Sequence, residues 1–511
     1  MSEATEAPLA PRVGEAMVWN TLAAPLKAAL TLLTSIVAAR MLGARDYGVY
    51  TILLSIVATV GQYTDLGINR SLPRYVPEAD VRLGRAGVEA LLRDVLTVKA
   101  ALAAIGVIVL LAGKDRVDAW LGLGVGGRPW MEIVCAILVL EVFREIALRV
   151  LNSYFRQRLT NGLELATLAL HPLAVAFVLW RGWGVSGALA VTALLSFAGA
   201  VLLWSAASRV IAATPIRGAE LDRHATSRAM VPHAATIYFL LLTKYFAELS
   251  FVVFLLAWAG AGKAAIAQFS IGYKTVGMLM NLLAIPLQSV QVPLLARIDS
   301  ASRPESFARV YAGLLKYLLF VLGPGVCLVW IAAPEVVRLL YGESYAPAGA
   351  LIRILMPLFA LETLFNISNN VLMVKGNYRE VAWLRWASLA AAPLIAATAL
   401  WSGIRAVAVM LGIIRVAIAY VSYAIAARRH GLSFPTDFAG RVATAALSFL
   451  AAAVAAYLLV PGRLIAVTIS AIVGSLGFVV AFRLAGGFDH DEKEMLRHFP
   501  IPGMARLLRW I

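Results

Sequence analysis

Residues 20–78 read NTLAAPLKAALTLLTSIVAARMLGARDYGVYTILLSIVATVGQYTDLGINRSLPRYVPE. Two apolar runs stand there, each long enough to cross a bilayer, since about 20 residues at 1.5 Å rise span the hydrocarbon core. The turn RMLGARDYG, residues 40–48, separates them. Asp65-Leu66-Gly67 closes the second run before a basic segment carrying Arg70, Arg74, Arg82, Arg85 and Arg93. Lys27 falls in the middle of the first run. A lysine at mid-bilayer costs about 2.5–3.5 kcal/mol, so the rest of the chain has to supply a partner or a wet cavity.

The composition agrees. Of 511 residues, 61% are hydrophobic and 14% are charged, with a mean hydropathy of +0.81. A soluble domain is nearer half apolar and about a quarter charged. The class is therefore an integral membrane protein. Cys135 and Cys327 lie in apolar runs, which suggests neither a disulfide framework nor a metal cluster. The opening MSEATEAPLAPRVGE lacks a basic n-region and a cleavage site, so no removable signal peptide is expected.

Apolar runs predict fourteen spans, at about 16–39, 48–69, 95–113, 130–151, 161–180, 184–206, 232–258, 264–292, 308–332, 347–373, 381–402, 404–426, 442–460 and 464–485. Loops on the side of the N-terminus carry 25 lysines and arginines against 10 on the other. By the positive-inside rule both termini are cytoplasmic. Most of the net charge of +16 is thus explained by topology, and no nucleic-acid partner is needed. Residues 70–94 read as a short helix on the membrane surface. Residues 486–511, with Met495, Leu496, Phe499, Leu507, Leu508 and Trp510 among charges, read as an interfacial tail.

A weak repeat divides the chain. Pro73 and Arg74 after span two correspond to Pro293 and Arg297 after span eight, an offset of about 220, and parallel six-helix repeats are a common transporter plan. The expected organisation is an N-terminal lobe at 1–206, a cytoplasmic linker at 207–231, a C-terminal lobe at 232–426, two added helices at 427–485 and the tail at 486–511. The fold class is an all-α polytopic membrane protein with about 14 transmembrane helices, in two pseudo-symmetric six-helix lobes plus two C-terminal helices.

Catalytic motifs fail. Gly260-Ala261-Gly262-Lys263 resembles a phosphate loop, but the first glycine is misplaced and Ala264 stands where Ser or Thr is required. The six histidines have no metal-ligand spacing, and no loop is long enough to hold an enzyme site. No cofactor and no metal are expected. The intramembrane charges are more informative. Lys27, Lys99, Lys244, Glu248, Lys274 and Lys316 lie within apolar runs. Glu141, Arg144 and Glu145 share a helix face at i, i+3, i+4, which predicts an internal salt bridge. Lys244 and Glu248 are also i, i+4 and could neutralise each other. Lys99 and Lys316, nearer the cytoplasmic ends, could snorkel outward. Asp65 reads equally as a turn residue or an ion-coupling residue.

The turn at 40–50 (RMLGARDYGVY), followed by Asp65-Leu66-Gly67 and the basic end at Arg74–Glu78, resembles the N-terminal signature of polysaccharide flippases. These form the polysaccharide-transporter branch of the multidrug/oligosaccharidyl-lipid/polysaccharide exporter superfamily. The signature covers roughly residues 17–80, and length and span count extend the likeness over the chain. The resemblance implies two lobes enclosing a central cavity with alternating access in a bacterial inner membrane. It also implies a polyprenyl-diphosphate-linked oligosaccharide as cargo for O-antigen, capsule or exopolysaccharide assembly, and a polymerase and a ligase as candidate partners beside membrane lipid. Spans one, two, seven and eight line the cavity in the family, and Lys27, Lys244 and Lys274 lie on those spans here. Related peptidoglycan-precursor flippases carry several arginines where this chain has lysines.

Three lysines facing lipid unpaired would together cost about 8–10 kcal/mol. Lys27, Lys244 and Lys274, joined by Arg70, are therefore the expected diphosphate-binding residues. Glu248 and Asp65 are the expected acids for proton or sodium coupling. Carboxylates of other spans, such as Glu141 or Glu362, are the competing structural partners for the lysines. The alternative function is a cation-coupled drug or metabolite exporter of the same fold, which would call for an acidic cavity. A membrane glycosyltransferase ranks last.

Overall fold

The computed structural model describes residues 9–124, 126–215, 224–300, 304–460, 462–489 and 493. Apart from 3₁₀ turns at Glu343–Tyr345 and Ser388–Ala390, the elements among these residues are α-helices. They are α1 Leu9–Tyr63, α2 Ile68–Leu83, α3 Arg85–Ala112, α4 Lys114–Leu121, α5 Trp130–Ser153, α6 Gln157–Trp180, α7 Gly184–Ala212 and α8 Ala225–Tyr245. There follow α9 Leu249–Trp258, α10 Lys263–Ser300, α11 Pro304–Tyr341, α12 Pro347–Val374, α13 Tyr378–Ala387, α14 Ala391–His430, α15 Thr436–Leu459 and α16 Arg463–Leu484. The architecture is the expected all-α polytopic membrane fold. Residues 490–492 and 494–511 of the interfacial tail, and 216–223 of the linker, lie outside the described residues.

The predicted spans fall on these helices, but some elements hold two. α1 carries spans one and two and changes direction at Gly43, whose φ of 75° and ψ of 169° suit glycine. Ser35 and Tyr47, on either side of it, are hydrogen-bonded at 2.6 Å; in a straight helix twelve residues would separate them by about 18 Å. α14 repeats the device at Gly403, with φ 74° and ψ 179°. Span seven, by contrast, is divided. α8 stops at Tyr245, and Glu248 is extended (φ −81°, ψ 151°) before α9 begins. The i, i+4 helical register expected between Lys244 and Glu248 is therefore interrupted. Large apolar side chains stay exposed on these helices, among them Leu459 (81%) and Trp401 (83%). Such a surface is stable only in lipid or against a partner.

The chain divides into two compact units, residues 1–270 with 399–404, and residues 271–398 with 405–511. In the first, Leu72 and Val76 of α2, Leu91 and Val95 of α3, and Ile146 and Val150 of α5 share a core. The basic segment expected as one surface helix over 70–94 is divided instead: α2 carries it to Leu83, Gly84 (φ 60°) ends α2, and residues 85–94 open α3. In the second, Phe320, Phe438, Phe478, Phe482 and Phe488 form an aromatic cluster joining α11, α15 and α16.

Two glycines of the 40–67 stretch are points of closest approach within the first unit. A Cβ on Gly48 would meet the backbone oxygen of Lys263 at 2.0 Å. One on Gly67, itself at φ +74°, would meet the backbone oxygen of Ala234 at 2.2 Å. α10 and α8 thus pack their main chain onto those glycines, which is why a larger side chain does not fit there.

Candidate functional site

α6 supplies what Lys27 requires. The Lys27 ammonium donates to Glu164 Oε2 at 2.5 Å and to Asn161 Oδ1 at 2.7 Å. Asn161 donates onward to Asn20 Oδ1 at 2.9 Å. Asn161 and Glu164 are three apart and share a face of α6, while Asn20 and Lys27 are two turns apart on α1. The other Glu164 oxygen faces Arg144 Nη1 of α5 at 3.6 Å. Arg144 also donates Nε and Nη2 to Glu141 Oε2 at 3.0 and 2.7 Å. Ser196 of α7 closes the chain by donating to Glu141 Oε1 at 2.6 Å. One polar network thus ties α1, α5, α6 and α7, with Lys27 and Arg144 balanced by Glu141 and Glu164. All four charged side chains are at most 30% exposed. Each charge is held by opposite charge, as a low-dielectric interior demands.

The expected Glu141–Arg144 bridge is there, but Glu145 turns instead to Arg149 at 3.1 Å. Sequence reasoning misses the partner of Lys27 because Glu164 opens an apolar run. The signal that finds it is the polar pair Asn161 and Glu164, three apart on an otherwise apolar helix.

Glu141 also borders a cavity of about 520 Å³ within the first unit. Its charged wall consists of Asp65, Glu141 and Glu145 with Arg70, Lys99 and Arg149; Asn69, Thr192 and Tyr245 add polar groups. Of the predicted site residues, Asp65 and Arg70 therefore share this wall, and Lys27 reaches it through Glu164, Arg144 and Glu141. Lys99 does not snorkel. It is 2% exposed and donates to Asp65 Oδ1 at 2.8 Å, because a carboxylate within reach satisfies the ammonium better than stretching a stem through lipid. Asp65 also accepts from the Asn69 amide at 3.4 Å. Leu66 and Gly67 are both left-handed, with φ of 50° and 74°, and they make the turn that leads into α2.

Lys244 lies near the end of α8 and Glu248 at the N-cap of α9. Lys274 is on α10 in the second unit, exposed. In that unit Glu362 of α12 accepts from Arg415 Nε of α14 at 2.7 Å. Arg415 Nη1 also donates to Tyr273 Oη at 3.1 Å, and its guanidinium lies 4.6 Å from the Phe359 ring centroid. Glu362 follows Glu141 by 221 positions and Arg415 follows Ser196 by 219, close to the spacing between Pro73 and Pro293. Glu141 on span four is thus gripped by Ser196 on span six, and Glu362 on span ten by Arg415 on span twelve. Sequence reasoning points to Glu362 only as a competing partner for the lysines, and it does not single out Arg415. No group of three or more His, Cys, Asp or Glu among the described residues could hold a metal ion.

The family described as "Polysaccharide biosynthesis protein" matches residues 37–350. No curated protein matches. Among solved structures, one described as "Lipid II flippase MurJ, inward closed conformation" is similar with a TM-score of 0.72 at 13% identity, covering 92% of this chain and 98% of that one. An inward-facing multidrug resistance MATE family transporter of the MOP superfamily gives a TM-score of 0.60 at 14% identity, covering 79% and 94%. At these identities the structural likeness speaks for the fold, while the family match, which takes in the 40–67 signature and more than half of the chain, speaks for descent. The chain is a multi-pass membrane protein that belongs to the polysaccharide biosynthesis protein family.

Proposed function

We propose that this protein is a flippase carrying a polyprenyl-diphosphate-linked oligosaccharide from the cytoplasmic to the periplasmic leaflet of a bacterial inner membrane, by alternating access, for surface polysaccharide assembly. The observation that carries the reading is the family membership on a fold shared with a lipid flippase. The moving bodies are the lobes at 1–206 and 232–426 joined by 207–231, with 427–485 and the 486–511 tail added. A polymerase and a ligase would take the glycan onward. The basic side chains proposed to meet the diphosphate are Lys27, Arg70, Lys244 and Lys274. Lysine suits this as a compact charge on a flexible stem, able to follow a phosphate while helices move.

Lys27 is not an idle cation, since Glu164 holds it at 2.5 Å. A diphosphate would take the place of that carboxylate. Coupling to a proton or sodium ion would use Glu248 or Asp65, and at Asp65 the ion must compete with the ammonium of Lys99. That resident cation weakens the reading as an exporter driven through Asp65.

Glycan export from cells relying on this chain alone tests the assignment. Lys27→Ala is expected to abolish export at near-normal protein level, with partial rescue by Lys27→Arg, and Lys274→Ala is expected to do the same. Lys27→Ala/Glu164→Ala separates a ligand role from a structural one, because it removes both members of the pair. Restored export in that variant, or full export by Lys27→Ala/Lys274→Ala, would overturn the head-group role.

A further inference from the structure

The connection between α5 and α6 is strained in a way the Lys27–Glu164 network does not explain. Phe155 has φ 56°, a left-handed conformation that an aromatic residue rarely adopts and that costs about 1–3 kcal/mol. Its side chain is held out at 41% exposure on the rim of a cavity of about 1020 Å³. Leu159 and Leu163 of α6 and Leu202 of α7 give that cavity apolar walls. Arg156, Arg158 and Arg209 give it basic ones, against one acid among the described residues, Glu15. It shares no lining residue with the cavity around Asp65.

The three arginines come from two elements. Arg156 is the N-cap of α6 and Arg158 stands in its first turn. Arg209 stands in the last turn of α7. Arg158 leans toward the Trp19 ring, 5.7 Å from its centroid. Arg156 and Arg209 form no ion pair among the described residues. Guanidinium groups left open beside exposed leucines fit an amphiphile with an anionic head and apolar chains, since Arg forks match phosphate bidentately.

We infer that this cavity binds an anionic glycerophospholipid of the leaflet facing the basic loops, its phosphate between Arg156 and Arg209 and its acyl chains along Leu159 and Leu202. A free phosphate would leave the apolar walls in water, and a zwitterionic lipid would bring its own cation against the arginines. The site is distinct from the proposed cargo path and does not depend on it.

Native mass spectrometry of the purified full chain in detergent tests the assignment, with dioleoyl phosphatidylglycerol or dioleoyl phosphatidylcholine added. The wild type is expected to retain phosphatidylglycerol preferentially. Arg156→Gln/Arg209→Gln is expected to weaken that retention about thirtyfold, the factor that two basic side chains give at an anionic surface. Gly162→Phe occupies the cavity while keeping its arginines, because a Cβ there enters open space, and is expected to abolish retention as well. Arg74→Gln, an exposed arginine outside the cavity, is expected to change nothing. Equal retention of the two lipids, unaltered retention in both cavity variants, or displacement by millimolar inorganic phosphate would each overturn the proposal. Displacement by lower concentrations of a polyprenyl diphosphate would overturn it too, by making the cavity a station for that class of lipid instead.

Discussion

Lys99 shows what a single side chain decides. Its pair with Asp65 is nearly sealed, the side chains being 3% and 11% exposed, so removing one partner strands the other's charge at a cost of about 3–5 kcal/mol. Lys99→Ala is expected to lower the denaturation midpoint of the purified chain strongly. Lys99→Leu/Asp65→Leu is expected to recover most of the loss, because burying neither charge is cheaper than burying one. Asp65→Asn also reports on coupling. If transport and its ion dependence survive both Asp65→Asn and Glu248→Gln, neither acid carries the coupling ion. At this scale the sequence is only half legible. The cost of Lys27 in an apolar run is plain, but its partner Glu164 lies 137 positions away, and only folding brings α1 and α6 side by side. Within one helix, by contrast, Arg144 and Glu141 can be read together from spacing alone.

At the scale of elements, the glycines of the 40–67 stretch set how closely helices approach. Gly48→Ala puts a methyl where the Lys263 backbone oxygen stands, and backbone yields less readily than a side chain. The expected loss is at or above the top of the usual overpacking range, about 3 kcal/mol. Gly162→Ala is the matched control: its Cβ enters open space, and helix propensity predicts a gain of about 0.5–1 kcal/mol. Thermal unfolding of the two variants checks both signs, and equal midpoints would show that α10 does not rest on Gly48. Helix positions are readable from apolar runs because lipid imposes length. The breaks are less readable, since Gly43 and Gly403 bend helices that hydropathy alone separates, while the extended Glu248 divides a run that hydropathy joins.

For the whole molecule, hydropathy and loop charge carry most of the information, and both describe the chain's relation to the bilayer. They yield span count, class and an orientation, which is itself testable. Cysteines introduced at exposed positions in 70–94, 207–231 and 427–441 are expected to resist impermeant reagents in intact cells, and those in 114–129 to react. Labelling of 207–231 from outside would reverse the topology. What the bilayer does not impose, such as which carboxylate meets which cation, only the folded chain displays. The spacing of Glu141 with Ser196 and of Glu362 with Arg415 then acquires a meaning of its own. If the halves descend from one duplicated ancestor, they have kept an acid in the same place and diverged in what restrains it. The guanidinium that holds Glu141 comes from its own helix and is shared with Glu164, with Ser196 adding a hydroxyl, whereas the one that holds Glu362 comes from α14. An ion or phosphate approaching Glu141 would then compete for a guanidinium already divided between two acids.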